Sequence, residues 1–154
     1  MSPLTPSRQE LIGLARQKAA KYQIDTDLIC AMVEQESGWN PWKIRFEPGF
    51  LQKYIVPIEG KAALSATEVY ARSFSWGLLQ VMGEDAREDG FAGVMPELLD
   101  PETGLEYGCK RFARLLARID AGPDRMLTAL LHWNGGANAN YPGQVLARLP
   151  AYNA

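Results

Sequence analysis

Histidine and cysteine are scarce in this chain, and their scarcity excludes several kinds of catalytic site. The sequence holds one histidine, His132, and two cysteines, Cys30 and Cys109. No cluster of cysteine, histidine and acidic residues has the spacing of a metal site, and no Ser-His-Asp set or phosphate-binding loop is present. We therefore expect no cofactor. The cysteines could pair, but Cys109 lies on an apolar helical face, which favours two reduced thiols in the core.

Long apolar runs and a strong net charge are also missing. Nowhere do eighteen apolar residues follow one another, and residues 1–8 contain no apolar stretch typical of a secretory signal. The formal net charge of -2 provides no broad basic field. This argues against nucleic acid as a partner and against electrostatic docking on an anionic membrane. We expect a chain that neither spans a membrane nor carries its own secretory signal.

The residues that are present favour a mostly α-helical fold. The 154 residues are 47% hydrophobic and 22% charged, which is ordinary for a chain that buries its own core. Apolar residues at helical spacing, together with capping residues, predict several helices. Their ranges are about 7–22, 27–37, a short helix from 65, 77–88, 101–121, a helix ending near 133, and 142–148.

The segments between these helices are predicted to be loops and turns. Residues 39–64 keep neither a helical nor a strand period, because prolines and glycines interrupt them. Such a long loop with short pieces of structure is often functional. Residues 73–76 are predicted to be a turn, residues 134–138 a loop, and no segment shows the alternation of a β-strand.

One acidic residue lies on the apolar side of its helix. In the helix predicted over 27–37, the apolar residues form one stripe: Leu28, Ile29, Met32 and Val33. At about 100° per residue, Glu36 falls within this stripe, whereas Glu34 points the opposite way. Apolar surroundings and the negative end of the helix dipole both raise the pKa of such a carboxyl group, as a general acid requires. The structural alternative is a frayed helix end with Glu36 in water.

Three separated segments, in order, resemble the motifs of one known family. Glu36-Ser37 with Trp39-Asn40-Pro41 resembles the first motif, the segment Gly77 to Met82 the second, and Trp133-Asn134-Gly135-Gly136 the third. The family is that of the soluble lytic transglycosylases and goose-type lysozymes, glycoside hydrolase family 23. The resemblance is greatest to the compact catalytic domains of phage endolysins and tail proteins. A fourth segment, around Tyr141, is similar to a later tyrosine-valine segment of the family.

The resemblance implies a lysozyme-like single domain over residues 1–154, with about seven to nine helices around a substrate cleft. It implies that Glu36 is the catalytic acid and base. It further implies that the glycan is bound by several residues of the cleft: Ser37, Gln80, Met82, Trp133, Asn134 and Tyr141. Trp133 replaces the tyrosine that holds the catalytic carboxyl group in the family, and an indole N–H can donate a hydrogen bond but cannot accept one.

The implied reaction cleaves the β-1,4 bond between N-acetylmuramic acid and N-acetylglucosamine in peptidoglycan. Glu36 protonates the bridging oxygen and then takes the proton from the muramyl C6 hydroxyl group, which leaves a 1,6-anhydromuramyl end. Glu47, in the segment that lengthens the interval between the first two motifs, keeps a second reaction open. It is either a second carboxylate for lysozyme-type hydrolysis or a partner of Arg45 that pins the loop.

Two further expectations concern role and location. A catalytically silent glycan-binding or tail module is the alternative to an enzyme, because Trp133 departs from the family pattern. The resemblance implies a monomer that acts on peptidoglycan strands in bacterial cell-wall degradation. We expect an endolysin or virion lysin that is made in the host cytoplasm and reaches the periplasm through a holin lesion or with the virion.

Overall fold

The structure is a computed structural model, and it describes residues 5–58, 60 and 63–153. These residues form mainly α-helices, which confirms the predicted fold class. The helices, in chain order, are α1 (Arg8–Lys21), α2 (Thr26–Ser37), α3 (Pro48–Phe50), α4 (Ala66–Arg72), α5 (Gly83–Glu88), α6 (Pro101–Ala117), α7 (Arg125–Trp133) and α8 (Tyr141–Leu146). A π-helical turn follows α3 at Leu51–Ile55, and 3-10 turns lie at Met95–Leu99 and Leu149–Ala151.

Side-chain caps explain where the first two helices begin and end. The Ser7 hydroxyl accepts a hydrogen bond from the backbone N–H of Glu10, whose carboxylate accepts one from the backbone N–H of Ser7. At the start of α2, the Asp25 carboxylate accepts hydrogen bonds from backbone N–H groups of the first turn. Gly38, with a φ of 60°, ends α2 in the left-handed conformation. Both helices therefore lie where the sequence predicts them.

A small antiparallel sheet stands where the sequence predicted a turn and part of a helix. Strands β1 (Ile44–Phe46), β2 (Phe74–Trp76) and β3 (Val81–Met82) pair in that order. The predictions of a turn over 73–76, of a helix beginning at Gly77, and of no strand were wrong. Strands of two or three residues are too short to show an alternating pattern, and their pairing depends on partners distant in the chain.

Two residues with positive φ prevent a helix from starting at Gly77. Gly77 has a φ of 69° and Gln80 a φ of 50°, whereas a right-handed helix needs negative values. A Cβ atom on Gly77 would also lie 2.6 Å from the carbonyl oxygen of Leu98. Only glycine fits this position, so the chain turns there and α5 begins later, at Gly83.

The end of α6 also differs from the prediction. The helix ends at Ala117 instead of continuing to about 121. The guanidinium group of Arg125 donates to the carbonyl oxygen of Leu116 at 2.7 Å, and this bond satisfies an acceptor that the helix end leaves open. The contact brings the start of α7 back against α6. The last helix, α8, begins at Tyr141, one residue before its predicted start.

The core lies around α2 and α6. Helix α2 packs against α1 and α8, and α6 packs against α1 and α7. Leu28 and Met32 of α2 and Leu105 and Phe112 of α6 are among the largest fully buried side chains. Full burial of a side chain of this kind stabilises the fold by about 1.5–3 kcal/mol. Helix α2 thus packs against α8, which in turn packs against α7, and side chains of α7 and α8 reach Glu36.

Both cysteines lie in the core as free thiols, as predicted. Burial raises the pKa of Cys30 to about 11 and that of Cys109 to about 12, so neither thiol ionises near neutral pH. In the described part of the chain, no helix combines the length and the apolar character needed to cross a bilayer.

Candidate active site

A cavity of about 780 Å³ opens beside the C-terminal end of α2. Six of the eight predicted site residues line it: Glu36, Glu47, Gln80, Met82, Trp133 and Asn134. They come from four separate parts of the chain, so the tertiary fold brings the three motif segments to one place.

The other two predicted residues lie outside the lining. Tyr141 is buried at the start of α8, and it reaches Glu36 from behind the cavity wall. The Ser37 hydroxyl group donates a hydrogen bond to the backbone carbonyl of Val33 at 3.0 Å, so its one proton is used within α2. A contact of Ser37 with substrate stays a prediction.

Glu36 is partly buried, and one of its two oxygens is held by two donors. The phenol of Tyr141 donates to Oε1 at 2.5 Å, and the indole Nε1 of Trp133 donates to the same oxygen at 3.1 Å. Among the described residues, none donates a hydrogen bond to Oε2. The carboxyl group is thus fixed in orientation through one oxygen, and the other oxygen is available to carry a proton.

The surroundings of Glu36 raise the pKa of its carboxyl group. Desolvation by burial is the largest cause, and it outweighs the hydrogen bonds from Tyr141 and Trp133 and the nearby charges of Lys43 and Arg45. Burial and the proximity of Glu36 also raise the pKa of the Tyr141 phenol, which therefore keeps its proton and acts as a donor. A raised pKa is what a general acid needs, so the surroundings of Glu36 suit that role.

Glu34 and Glu36 point to different sides of α2, as their positions in the helical repeat predict. Its carboxylate accepts from the guanidinium group of Arg8 at 3.1 Å on the other side of α2. Glu34 does not line the cavity among the described residues. Two acidic residues separated by one position thus have different surroundings because the helix turns them to different sides.

Trp133 is positioned by the core as well as by Glu36. It is the last residue of α7, and its ring packs edge-on against Phe112 with centroids 5.8 Å apart. Phe112 is fully buried in α6. The indole N–H that holds Glu36 is therefore supported from the hydrophobic core.

Gln80 lines the cavity, but its side chain is bonded mainly to the protein. The amide group Nε2 donates to the backbone carbonyls of Lys43 at 3.0 Å and Gly77 at 2.9 Å. Its Oε1 accepts from the hydroxyl group of Ser75 at 3.0 Å. Both amide protons are used, so Gln80 joins the segment before β1 to the turn before β3, and only Oε1 can still interact with a sugar.

The sheet forms one wall of the cavity. Arg45 lies opposite Ser75, and Ser75 lies opposite Met82, so these three side chains occupy matching positions on the three strands. All three line the cavity. Residues that lie opposite each other on paired strands point to the same side of the sheet, so these three side chains share a face.

Asn134 and Glu47 have local partners within the lining. The Asn134 amide lies 3.5 Å from the backbone carbonyl of Asn138, in the turn after α7. The Glu47 carboxylate pairs with Arg45, with Nε and Oε1 2.6 Å apart. The pairing of Arg45 and Glu47 is the one that the loop-pinning interpretation predicts.

Several cavity residues were missed by the sequence analysis. Lys43 donates from Nζ to the backbone carbonyl of Glu36 at 2.5 Å, and a basic residue shortly after a helix end was a signal for such a contact. Phe50 and Tyr54 also line the cavity, and their spacing of four residues was a signal for a shared face. No group of three or more metal-binding side chains was found in the part of the chain that the structure describes.

A comparison with models of protein families matches residues 13–154 to the family described as Transglycosylase SLT domain. The matched range contains Glu36 and all of the cavity residues described above. No solved structure matches the chain.

Proposed function

Because the chain belongs to the transglycosylase SLT domain family of peptidoglycan-cleaving lyases, we propose that Glu36 is the acid and base of the reaction. The observation that carries this proposal is the pair of donors on Oε1, from Tyr141 and Trp133, at a carboxyl group that lines the cavity. No other carboxylate of α2 has such surroundings.

In the proposed reaction, the proton on Oε2 of Glu36 moves to the oxygen that bridges N-acetylmuramic acid and N-acetylglucosamine. The bond between this oxygen and C1 of the muramyl residue breaks, and the glucosamine hydroxyl group leaves. The Glu36 carboxylate then takes the proton from the muramyl C6 hydroxyl group as its oxygen bonds to C1. The product is a 1,6-anhydromuramyl end, no water is consumed, and Glu36 regains its proton.

A single carboxyl group suffices for this reaction because the nucleophile belongs to the substrate. An intramolecular hydroxyl group is already held near C1, which lowers the entropic part of the barrier. Hydrogen bonds from Tyr141 and Trp133 stabilise the carboxylate that forms when Glu36 gives up its proton. Both groups are donors, so the replacement of a tyrosine by Trp133 keeps the function of orienting Glu36.

Product analysis tests the reaction type. Digestion of purified sacculi in isotopically labelled water is expected to release muropeptides with 1,6-anhydro ends that carry no label. The reason is that the C6 oxygen, and not a water oxygen, attacks C1. Mass spectrometry of the released fragments measures the label. Labelled reducing ends would overturn the transglycosylase proposal in favour of hydrolysis.

Hydrolysis with Glu47 is the second candidate reaction, because Glu47 lines the same cavity as Glu36. A hydrolase of this type needs a second carboxylate as base or nucleophile. The ion pair with Arg45 instead favours a role of Glu47 in holding the loop. A Glu47→Gln variant distinguishes the two: a catalytic base would be needed for turnover, whereas loss of the ion pair raises KM and leaves most of kcat.

The pH dependence of the activity tests the role of Tyr141. Tyr141→Phe removes one of the two hydrogen bonds that favour the carboxylate form of Glu36, so its pKa rises further. Because the acid must be protonated, the alkaline limb of the profile of kcat/KM is expected to move to higher pH. Initial rates of sacculus solubilisation across the active pH range measure the shift.

Tyr152→Phe provides the matched control for this shift. The Tyr152 hydroxyl group accepts a hydrogen bond from the indole Nε1 of Trp39 and does not contact Glu36. This variant is expected to keep the alkaline limb of the wild type. An alkaline limb of Tyr141→Phe that stays in place or moves to lower pH would contradict the assigned role.

The proposed biological role is that of a phage endolysin or virion lysin that acts as a monomer on peptidoglycan strands. The resemblance of the motifs to compact phage domains supports this role. The protein would then be made in the host cytoplasm and reach the cell wall through a holin lesion or with the virion. Lysis of expressing cells only after permeabilisation of the inner membrane supports this route, and periplasmic protein in intact cells without a helper would contradict it.

A further inference from the structure

The cavity extends onto a segment that the family motifs do not include. Three residues spaced by four positions line it from this side: Phe50, Tyr54 and Ile58. Leu51 and Ile55 of the same segment are buried, at 7% and 0% exposure, and anchor it to the protein. The segment 50–58 therefore has one face fixed in the interior and another face toward the cavity.

The cavity face of this segment is largely apolar and partly exposed, and the ammonium group of Lys53 lies 5.0 Å from the centre of the Tyr54 ring. Tyr54 is 46% exposed and Ile58 is 45% exposed, although both lie in the wall of a cavity that also contains Glu36. The rings of Phe50 and Tyr54 pack together with centroids 4.9 Å apart. Exposed apolar area that lines a concave site beside a catalytic acid is typical of a binding surface.

The chemistry of this wall fits a sugar ring. A β-linked pyranose has an apolar C–H face, which packs on aromatic rings, and hydroxyl groups around its edge. Arg45 and Glu47 line the same cavity and supply a hydrogen-bond donor and acceptor for such an edge. A peptide stem, with its charges and many amide groups, would leave polar groups unpaired against Phe50 and Ile58.

We propose that Phe50 and Tyr54 form an aromatic platform that binds a pyranose ring of the glycan strand. This inference rests on the proposed function, because it takes the glycan as the ligand of the cavity. The platform adds affinity for the strand through ring stacking, and it takes no part in proton transfer at Glu36.

Binding of an N-acetylglucosamine hexamer tests the platform, because this β-1,4 oligomer has no lactyl group and no peptide. Isothermal titration uses the full chain with Glu36→Gln, which prevents turnover. In this background, Phe50→Leu with Tyr54→Leu is expected to weaken binding about tenfold, because leucine keeps apolar volume but has no flat face. Tyr54→Phe keeps the ring and is expected to bind within about twofold of the parent.

Tyr70→Leu is the matched control. Tyr70 is also an exposed aromatic residue, at 50%, but it packs against Phe46 and does not line the cavity. Its removal is expected to leave hexamer affinity unchanged. Thermal unfolding of all variants verifies that each is folded at the temperature of the titration.

A folded double-leucine variant that binds the hexamer as tightly as its parent would overturn the platform proposal. If that variant also binds a peptide-bearing muropeptide more weakly, the rings contact the peptide stem instead of the sugar.

The lytic assay on wild-type protein separates this inference from the proposed function. Anhydro products, together with an unchanged hexamer affinity of the double-leucine variant, would support the proposed reaction and contradict the platform. A hexamer affinity that depends on both rings, with no anhydro products, would support the platform and remove the reaction.

Discussion

Glu36→Gln is expected to slow the solubilisation of purified sacculi by about a thousandfold. Glutamine has nearly the same shape, and its amide oxygen can accept the hydrogen bonds from Tyr141 and Trp133. The amide group has no acidic proton to give to the bridging oxygen, so general acid catalysis is lost while the cavity is kept. Chromatography and mass spectrometry of released anhydromuropeptides measure the rate.

Glu34→Gln is the matched control for this loss. Glu34 lies two positions away on the same helix and pairs with Arg8 outside the cavity. Its replacement makes the same change from carboxyl to amide and leaves the site intact, so the activity is expected to remain near that of the wild type. Equal activity of the Glu36 and Glu34 variants would remove Glu36 from the chemistry.

At pH values above the ordinary pKa of the carboxyl group, the same Glu36→Gln change is expected to stabilise the fold. The folded protein holds the proton of Glu36 more tightly than the unfolded chain, because burial raises the pKa from its ordinary value of 4.5. The stability that the Glu36 carboxyl group contributes is fully present at a pH below its ordinary pKa. This stability is lost as the pH rises through the raised pKa of the folded protein. The difference in Tm between variant and wild type is therefore expected to grow over this range, and calorimetry at several pH values measures it.

Phe112→Ala is expected to lower the free energy of unfolding by about 3–5 kcal/mol. Phe112 is fully buried between α6 and the neighbouring helices, and its removal leaves a cavity in the core. It also supports Trp133 edge-on, so the molecules that remain folded are expected to lose activity as Trp133 shifts from Glu36. Urea denaturation measures the stability, and activity per folded molecule measures the second effect.

Phe46→Ala is the control for this prediction, because it removes a phenylalanine that lies outside the buried core. Phe46 lies on β1 and is 37% exposed, so its removal is expected to cost much less stability than that of Phe112. Phe112→Leu, which keeps most of the buried volume, is expected to fall between the two. A loss below about 1 kcal/mol for Phe112→Ala would contradict the assignment of this ring to the core.

Local sequence was sufficient to predict the first two helices and the side of α2 on which Glu36 lies. Asp25 and Gly38 set the limits of α2 through bonds to neighbouring backbone groups, and the helical repeat then places Glu36 and Glu34 on different sides. The short strands could not be predicted in this way. Strands of two or three residues are too short to show an alternating pattern, and the hydrogen bonds that define them join β2 to β1, about thirty residues earlier.

Gln80 illustrates a second limit of prediction from the sequence. Its position in the second motif predicted a polar residue in the cavity, and the structure places it there. Its positive φ and its bonds to Lys43 and Gly77 depend on the turn before β3, where the periodicity instead predicted a helix. The sequence showed that a glutamine lies in the cavity, but it did not show which polar atoms of that side chain stay available to a ligand.

The sequence by itself determined that the fold is helical and that one acidic residue is turned toward apolar surroundings, since both follow from interactions within a few residues. Only the tertiary structure decided which donors meet that acid, because Trp133 and Tyr141 lie 97 and 105 positions away along the chain. It also decided that Phe50 and Tyr54 share a cavity with Glu36. Contacts over such separations depend on how the helices pack together, and helix packing is not specified by any local pattern of residues.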